Sequence, residues 1–281
     1  MTKAPSFATE ADLVAAFVGF VEAWNANSRR KMSKWTVYPE TAGWDLLLVD
    51  EAGVQIGIEA KLSLNAKVIC QALPDGTWAM ENGPDYRAVL VPNRDCQGHM
   101  HPIARALGLT IITVSKSESR YDLGRVSVSP TGLPDEHSGH DWDLRQWVSW
   151  LPAQRCSLPD YVPDVQGGKP CPVALTDWKI KAIKLMILLD RRGYVTRRDM
   201  KLIGISPTRW TDGYHGFLTP DPIKGGYVRN GRTPDLRSQH PVNYVQIEAD
   251  FDTWAAPDWN AGQPSPLAAN DPSAPAKDTA A

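Results

Sequence analysis

The sequence predicts an α/β protein built on a mixed sheet, followed by a smaller, basic unit of helices and a hairpin. Three observations predict it. Two apolar runs, residues 87–91 and 109–114, each follow a stretch with helical spacing of apolar residues, which places strands side by side under helices. Upstream, the turn signal Glu51-Ala52-Gly53 separates two β-rich runs at 45–50 and 54–61. Beyond residue 172, three capped helical stretches precede a glycine-rich segment.

The elements follow in order. Thr9 is placed to cap a helix over 9–26, because Leu13, Phe17, Phe20, Val21 and Trp24 recur at helical spacing. Residues 35–39 read as a short strand before the hairpin. Residues 65–73 are apolar at helical intervals and stop at Pro74, and the strand at 87–91 ends at Pro92. A short helix over 101–107 closes at Gly108, and the strand 109–114 follows. Residues 116–172 are richer in proline and polar residues and read as an appendage and linker, with one Trp-rich helix candidate near 142–151. Thr176 then caps a helix with Ile180, Ile183, Ile187 and Leu188 on one face, closed by Gly193. Thr196 caps a second helix to Gly204, and Ser206-Pro207 opens a third, with proline in its first turn. A glycine-rich turn at 225–228 and a strand over 244–247 complete the order of a winged helix. The divisions expected are 1–115, 116–172, 173–255 and a disordered tail at 256–281, rich in Ala, Pro, Asp and Ser.

Composition bounds the classes open to such a chain. With 281 residues, 42% hydrophobic and 22% charged, it has the content of a soluble globular protein of about two domains. The longest apolar runs, such as Leu46-Leu47-Leu48-Val49, are too short to cross a bilayer, and residues 1–10 lack the apolar core of a signal peptide. No membrane partner and a cytoplasmic location are the expectation. The four cysteines form no CxxC pair, which argues against a disulfide framework or a zinc ribbon. Cys96, His99 and His101 are the one metal-like cluster, and their spacing reads as a loop rather than a zinc site. There is no GxxxxGK[ST] loop, no GxSxG elbow and no HExxH pair.

The chemistry concentrates at Glu59-Ala60-Lys61. Period-two alternation puts Glu59 and Lys61 on one strand face, and Asp45, across the hairpin, can lie beside Glu59. Two converging carboxylates make a hard-oxygen site suited to Mg²⁺ or Mn²⁺. Both ionised at close range, they repel, so without a cation the site is strained. An isolated ExK also occurs on solvated strand faces. Here it follows a run with few charges and precedes a helix. Asp45, thirteen residues, Glu59, Ala60, Lys61 resembles the PD-(D/E)xK nuclease superfamily, the restriction-endonuclease-like fold, over about residues 7–115. Gly43-Trp44 stands where the family name suggests proline.

The resemblance implies a metal-dependent DNA endonuclease, with Asp45 and Glu59 as metal ligands and Lys61 holding the attacking water or the phosphate. It also implies an acidic residue on the first helix, which Glu10 fits as a metal contact or as a helix-dipole partner. A polar residue on the helix after the motif is fitted by Gln71, with Lys67 on the same face. Restriction, repair, junction resolution, mobile elements and phages all use this fold, in a bacterial or nucleoid setting, and cutting two strands favours a homodimer. A non-catalytic DNA-binding protein using the fold as a scaffold is the alternative, and a protein that docks a partner is a third.

Residues 169–240 carry fourteen Lys and Arg against six Asp and Glu. Arg191, Arg192, Arg197, Arg198, Lys201 and Arg209 cluster about the second and third helices there, with Trp210 beside Arg209. Lys224, Arg229 and Arg232 fall in the wing. In a winged helix the third helix enters the major groove while its neighbours grip phosphates, so this unit is expected to bind DNA, with a protein-docking role as the other reading.

Overall fold

The structure, a computed structural model, describes residues 7–27, 32–74, 82–93, 98–117, 126–134, 146–165, 167 and 175–259. Its contacts divide the chain into two compact units, residues 1–182 with 235–244, and residues 183–234 with 245–281.

The first unit is mixed α/β. Helix α1 (Glu10–Ala26) begins at a capping box: the Thr9 hydroxyl accepts from the Asp12 N–H, and the Asp12 carboxylate accepts from the Thr9 N–H. Then come β1 (Trp35–Thr41), β2 (Trp44–Asp50), β3 (Gln55–Ala60), α2 (Ala66–Ala72), β4 (Tyr86–Pro92), α3 (Met100–Ala106), β5 (Thr110–Lys116) and β6 (Val126–Ser129). The six strands form one sheet in sequence order. β1, β2 and β3 run antiparallel, β3, β4 and β5 parallel, and β6 returns antiparallel at the edge.

Both faces are covered. Phe17, Val21 and Trp24 of α1 belong to one core with Leu46, Leu48, Ile58, Leu90 and Ile112. Val68 and Ile69 of α2 and Ala104 of α3 belong to a second core with Leu47, Val49, Val89 and Ile111. Strand β3 is buried at every position, and β4 at all but its first. That explains why residues 87–91 read as a continuous apolar run rather than an alternating one. Because β3, β4 and β5 are parallel, their carboxyl ends share one sheet edge, and the antiparallel β2 starts there.

The structure departs from the sequence reading at residues 146–151, the described part of the Trp-rich helix candidate. This stretch is not helical: Ser149 bridges Tyr86, and just beyond it Gln154 bridges Asn82. Each indole finds a carbonyl across the fold, Trp147 at Gly132 and Trp150 at Gly108. These anchors, rather than a helical ladder, satisfy the segment. Strand β6 also lies within the stretch read as an appendage and completes the sheet.

Helix α4 (Asp177–Arg192) supplies residues to both units. The second unit continues with α5 (Arg197–Ile203), α6 (Pro207–Thr211) and the hairpin β7 (Leu218–Asp221) and β8 (Gly226–Arg229). Thr196 and Asp199 form a capping box, and Gly204 ends α5 in the left-handed region. After α7 (Leu236–Gln239), which belongs to the first unit, residues 244–247 are not a strand: they lie in α8 (Pro241–Ala249), followed by α9 (Phe251–Trp254). Tyr244, Ile247 and Phe251 are buried at intervals of three and four while Val245 is exposed, the helical period that the β-branched residues masked. A short 3-10 turn, Pro257–Trp259, buries Trp259 against Asp199. Of the disordered tail expected at 256–281, residues 257–259 form this ordered turn instead, and residues 260–281 lie outside the described residues. No helix of the described residues is long and apolar enough to cross a membrane.

Candidate functional site

The shared sheet edge is shaped by a tight turn. Thr41 pairs with Trp44 across Ala42 and Gly43, whose φ angles of 54° and 87° are those of the primed turns that suit two-residue hairpins. The next register pair is Pro39 with Leu46, so Glu40 and Asp45 stand opposite each other between them. Glu40 itself has φ 48°, a conformation that costs a non-glycine residue about 1–3 kcal/mol. On its other side β2 pairs Leu46 with Ile58, and the Asp45 Oδ2 accepts the Ala60 N–H at 2.8 Å. That bond holds the start of β2 against the end of β3, bringing Asp45 to Glu59.

Lys61 follows directly. Its N–H donates to the Leu90 carbonyl, extending the parallel pairing one step past β3. Its Nζ donates to the Glu10 Oε2 at 2.7 Å, tying the first turn of α1 to the same edge. The structure thus brings Glu10, Asp45, Glu59 and Lys61 together, and adds Glu40. Sequence reasoning missed Glu40. The signal was available in the two-residue turn Ala42-Gly43, which places Glu40 opposite Asp45 once the register is counted.

The electrostatics follow from burial. Glu59 is 5% exposed, and its carboxyl is pushed up to about 8 by desolvation first, then by the negative charge of Asp45, with Glu40 and Glu10 adding to the push and Lys61 opposing it. Burial raises Asp45 as well, against the Ala60 hydrogen bond and the Lys61 charge. For Lys61, burial favours the neutral amine, but the Glu10 hydrogen bond and the surrounding carboxylates outweigh it and raise its pKa. At neutral pH the edge therefore holds a firmly charged ammonium beside a carboxylate pair that resists full ionisation.

Such a pair can take up a divalent cation. The donors are hard oxygens, and a cation's positive charge offsets both the burial and the Asp45 charge that keep Glu59 protonated. Among the described residues no group of three or more His, Cys, Asp and Glu side chains is arranged to hold an ion. A cation here would complete its shell with water and substrate oxygens, as Mg²⁺ commonly does.

Gln71 lies exposed on α2, one residue from the buried Ala72, and lines a cavity together with Gly43, Trp44 and Arg87. Lys67 is exposed at the opening of α2. His99 and His101 stand at the start of α3, and Cys96 lies outside the described residues.

The basic residues of the second unit divide by environment. Arg191 sits 3.8 Å from the Phe251 ring centroid, and Arg192 lies over Tyr194 and within 3.4 Å of the Asp199 carboxylate. Arg229 pairs with Asp190, and Lys224 donates to the Gly193 carbonyl. Arg197, Arg198, Lys201 and Arg209 are exposed, and Arg197 and Lys201 line a shallow cavity with Pro207 and Thr211. Arg232 donates to the Tyr214 carbonyl. Trp210 is not presented for reading DNA: it is fully buried, edge-on to Phe217 at 5.2 Å.

No family model matches the chain, and neither a curated protein nor a solved structure matches it. The functional reading therefore rests on the residues and their arrangement.

Proposed function

We propose that the chain is a metal-dependent DNA endonuclease of the PD-(D/E)xK, restriction-endonuclease-like kind, and that its basic, winged-helix-like second unit grips the DNA. The observation that carries the reading is Glu59: a buried carboxyl beside Asp45, at the carboxyl end of a parallel strand, two residues before a lysine. A purely structural sheet has no use for two carboxylates in that position. Mg²⁺ or Mn²⁺ held by Asp45 and Glu59 would supply charge stabilisation on a phosphate oxygen and a more acidic bound water. Asp45 is oriented by the Ala60 N–H and keeps its Oδ1 for that role. Lys61, kept protonated by Glu10, supplies a fixed positive charge for a phosphate oxygen or the attacking water. Glu10 acts through Lys61 in this account.

The reading is tested by cleavage of plasmid, linear, single-stranded and branched DNA in Mg²⁺ or Mn²⁺. The wild type is expected to cut at least one form. Asp45→Ala and Lys61→Ala are each expected to lose on the order of 100-fold or more, as for other single electrostatic groups. Absence of cleavage with retained DNA binding would favour the second reading, a DNA-binding scaffold. The observation on that side is that Lys61 already spends a hydrogen bond on Glu10.

A further inference from the structure

On the α2 side of the sheet, in the first unit, Arg87 of β4 is 6% exposed, an uncommon place for a guanidinium. Its setting is built around it. Gly57, its register partner on β3, leaves room for the Trp44 ring, which a Cβ at that position would meet at 2.4 Å. The guanidinium carbon lies 5.5 Å from the Trp44 ring centroid and 5.0 Å from that of Trp150. Gly83 gives way on another side, since a Cβ there would meet Nη2 at 2.5 Å.

The charge is placed but not neutralised. Nη1 donates to the Ala72 carbonyl at 3.2 Å and Nη2 to the Asn82 carbonyl at 3.4 Å, while Nε is buried without an acceptor. Among the described residues no carboxylate pairs with Arg87. Asp85, two residues away in sequence, is engaged by the Gln55 N–H and by Arg155. Buried charges are ordinarily paired, and an arginine presents five donors suited to an oxyanion. Arg87 also lines a cavity of about 440 Å³ together with Gln71, Gln154, Arg155 and Cys156.

We propose that this cavity is a phosphate-binding subsite, with Arg87 as the charge that holds the phosphate and the Gln71, Gln154 and Arg155 side chains closing over it. Gly57 and Glu59 are two residues apart on β3, about 7 Å along the strand. A phosphate in the cavity would therefore neighbour one at the carboxylate pair. The site stands on Arg87 alone; only its assignment to a DNA strand rests on the nuclease reading. The phosphate could equally belong to a free phosphate or mononucleotide.

The cysteines provide a direct readout in the intact 281-residue chain. Cys156 lines the cavity, and Cys70 is an exposed internal reference. Maleimide labelling, followed by peptide mass spectrometry in EDTA at constant ionic strength, is measured with inorganic phosphate, thymidine 5′-monophosphate or a short single-stranded oligonucleotide. At least one is expected to slow Cys156 labelling five-fold or more without slowing Cys70, and Arg87→Gln is expected to abolish the protection. Protection by the oligonucleotide alone assigns the phosphate to a nucleic-acid strand, and protection by phosphate or mononucleotide to a free ligand. If Arg87→Gln fails to fold, the double variant Gln71→Ala, Arg155→Ala is expected to weaken protection instead. Asp45→Ala, tested the same way, is expected to keep it whether or not the wild type cleaves DNA. Unchanged Cys156 labelling with all three ligands, or protection that survives Arg87→Gln, overturns the proposal.

Discussion

Glu59 meets the folded state at a cost, because the sheet withdraws its carboxyl from water and sets it near Asp45. Its folded pKa of about 8 lies above its ordinary value of 4.5. Between those two pH values the folded protein holds a proton that the unfolded chain has released, so stability falls as pH rises through this window. Above about pH 8 the full penalty applies, on the order of a few kcal/mol. In EDTA, the wild type is therefore expected to lose melting temperature between pH 5 and pH 9. Glu59→Gln, which carries no ionisable group there, is expected to flatten the fall and melt higher than wild type at pH 9. Equal pH profiles for the two proteins would remove the claim that Glu59 is strained. Asp45, raised in the same direction, contributes in the same sense.

At the scale of elements, the β1–β2 turn and strand β3 carry the site. Gly57 is where they meet: a methyl added there would strike the Trp44 ring and Pro84. Gly57→Ala is expected to destabilise the fold by about 1–3 kcal/mol, as overpacking does, and to disturb Asp45 through its neighbour Trp44. Chemical denaturation measures the first effect and metal-dependent cleavage the second. The elements were legible where local signals agreed. Thr9 and Thr196 both cap helices as their sequences imply, and β3, β4 and β5 fall where apolar runs are bounded by Gly and Pro. They were illegible where distant partners decide. Residues 146–151 are held by the carbonyls of Gly108 and Gly132 and by a bridge to Tyr86, none of which is local. Residues 244–247 present β-branched residues, but burial at Tyr244 and Ile247 follows the helical period. In the site, Asp45, Glu59 and Lys61 could be found from spacing. Glu40 needed the hairpin register, and Arg87 needed the tertiary fold that surrounds it with Trp44 and Trp150.

For the whole molecule, the positive balance of residues 169–240 separates into charges that build the second unit and charges that face solvent. Arg192, beside the buried Asp199, belongs to the first kind, and Lys201 to the second. Arg192→Ala is expected to cost about 1–3 kcal/mol of stability in thermal or chemical unfolding. Lys201→Ala is expected to leave stability nearly unchanged and to reduce the steepness of the salt dependence of DNA binding by about one phosphate contact, read from titrations at several salt concentrations. The central claim, however, is that Asp45 and Glu59 form a cation site. Isothermal titration calorimetry of Mn²⁺ into the metal-free protein at pH 7, repeated in buffers of different ionisation enthalpy, tests it most directly. The account predicts one saturable site that releases close to one proton, because Glu59 is mostly protonated there, with binding lost in Asp45→Ala and proton release lost in Glu59→Gln. Absence of Mn²⁺ binding, or binding that both variants retain unchanged, would contradict it.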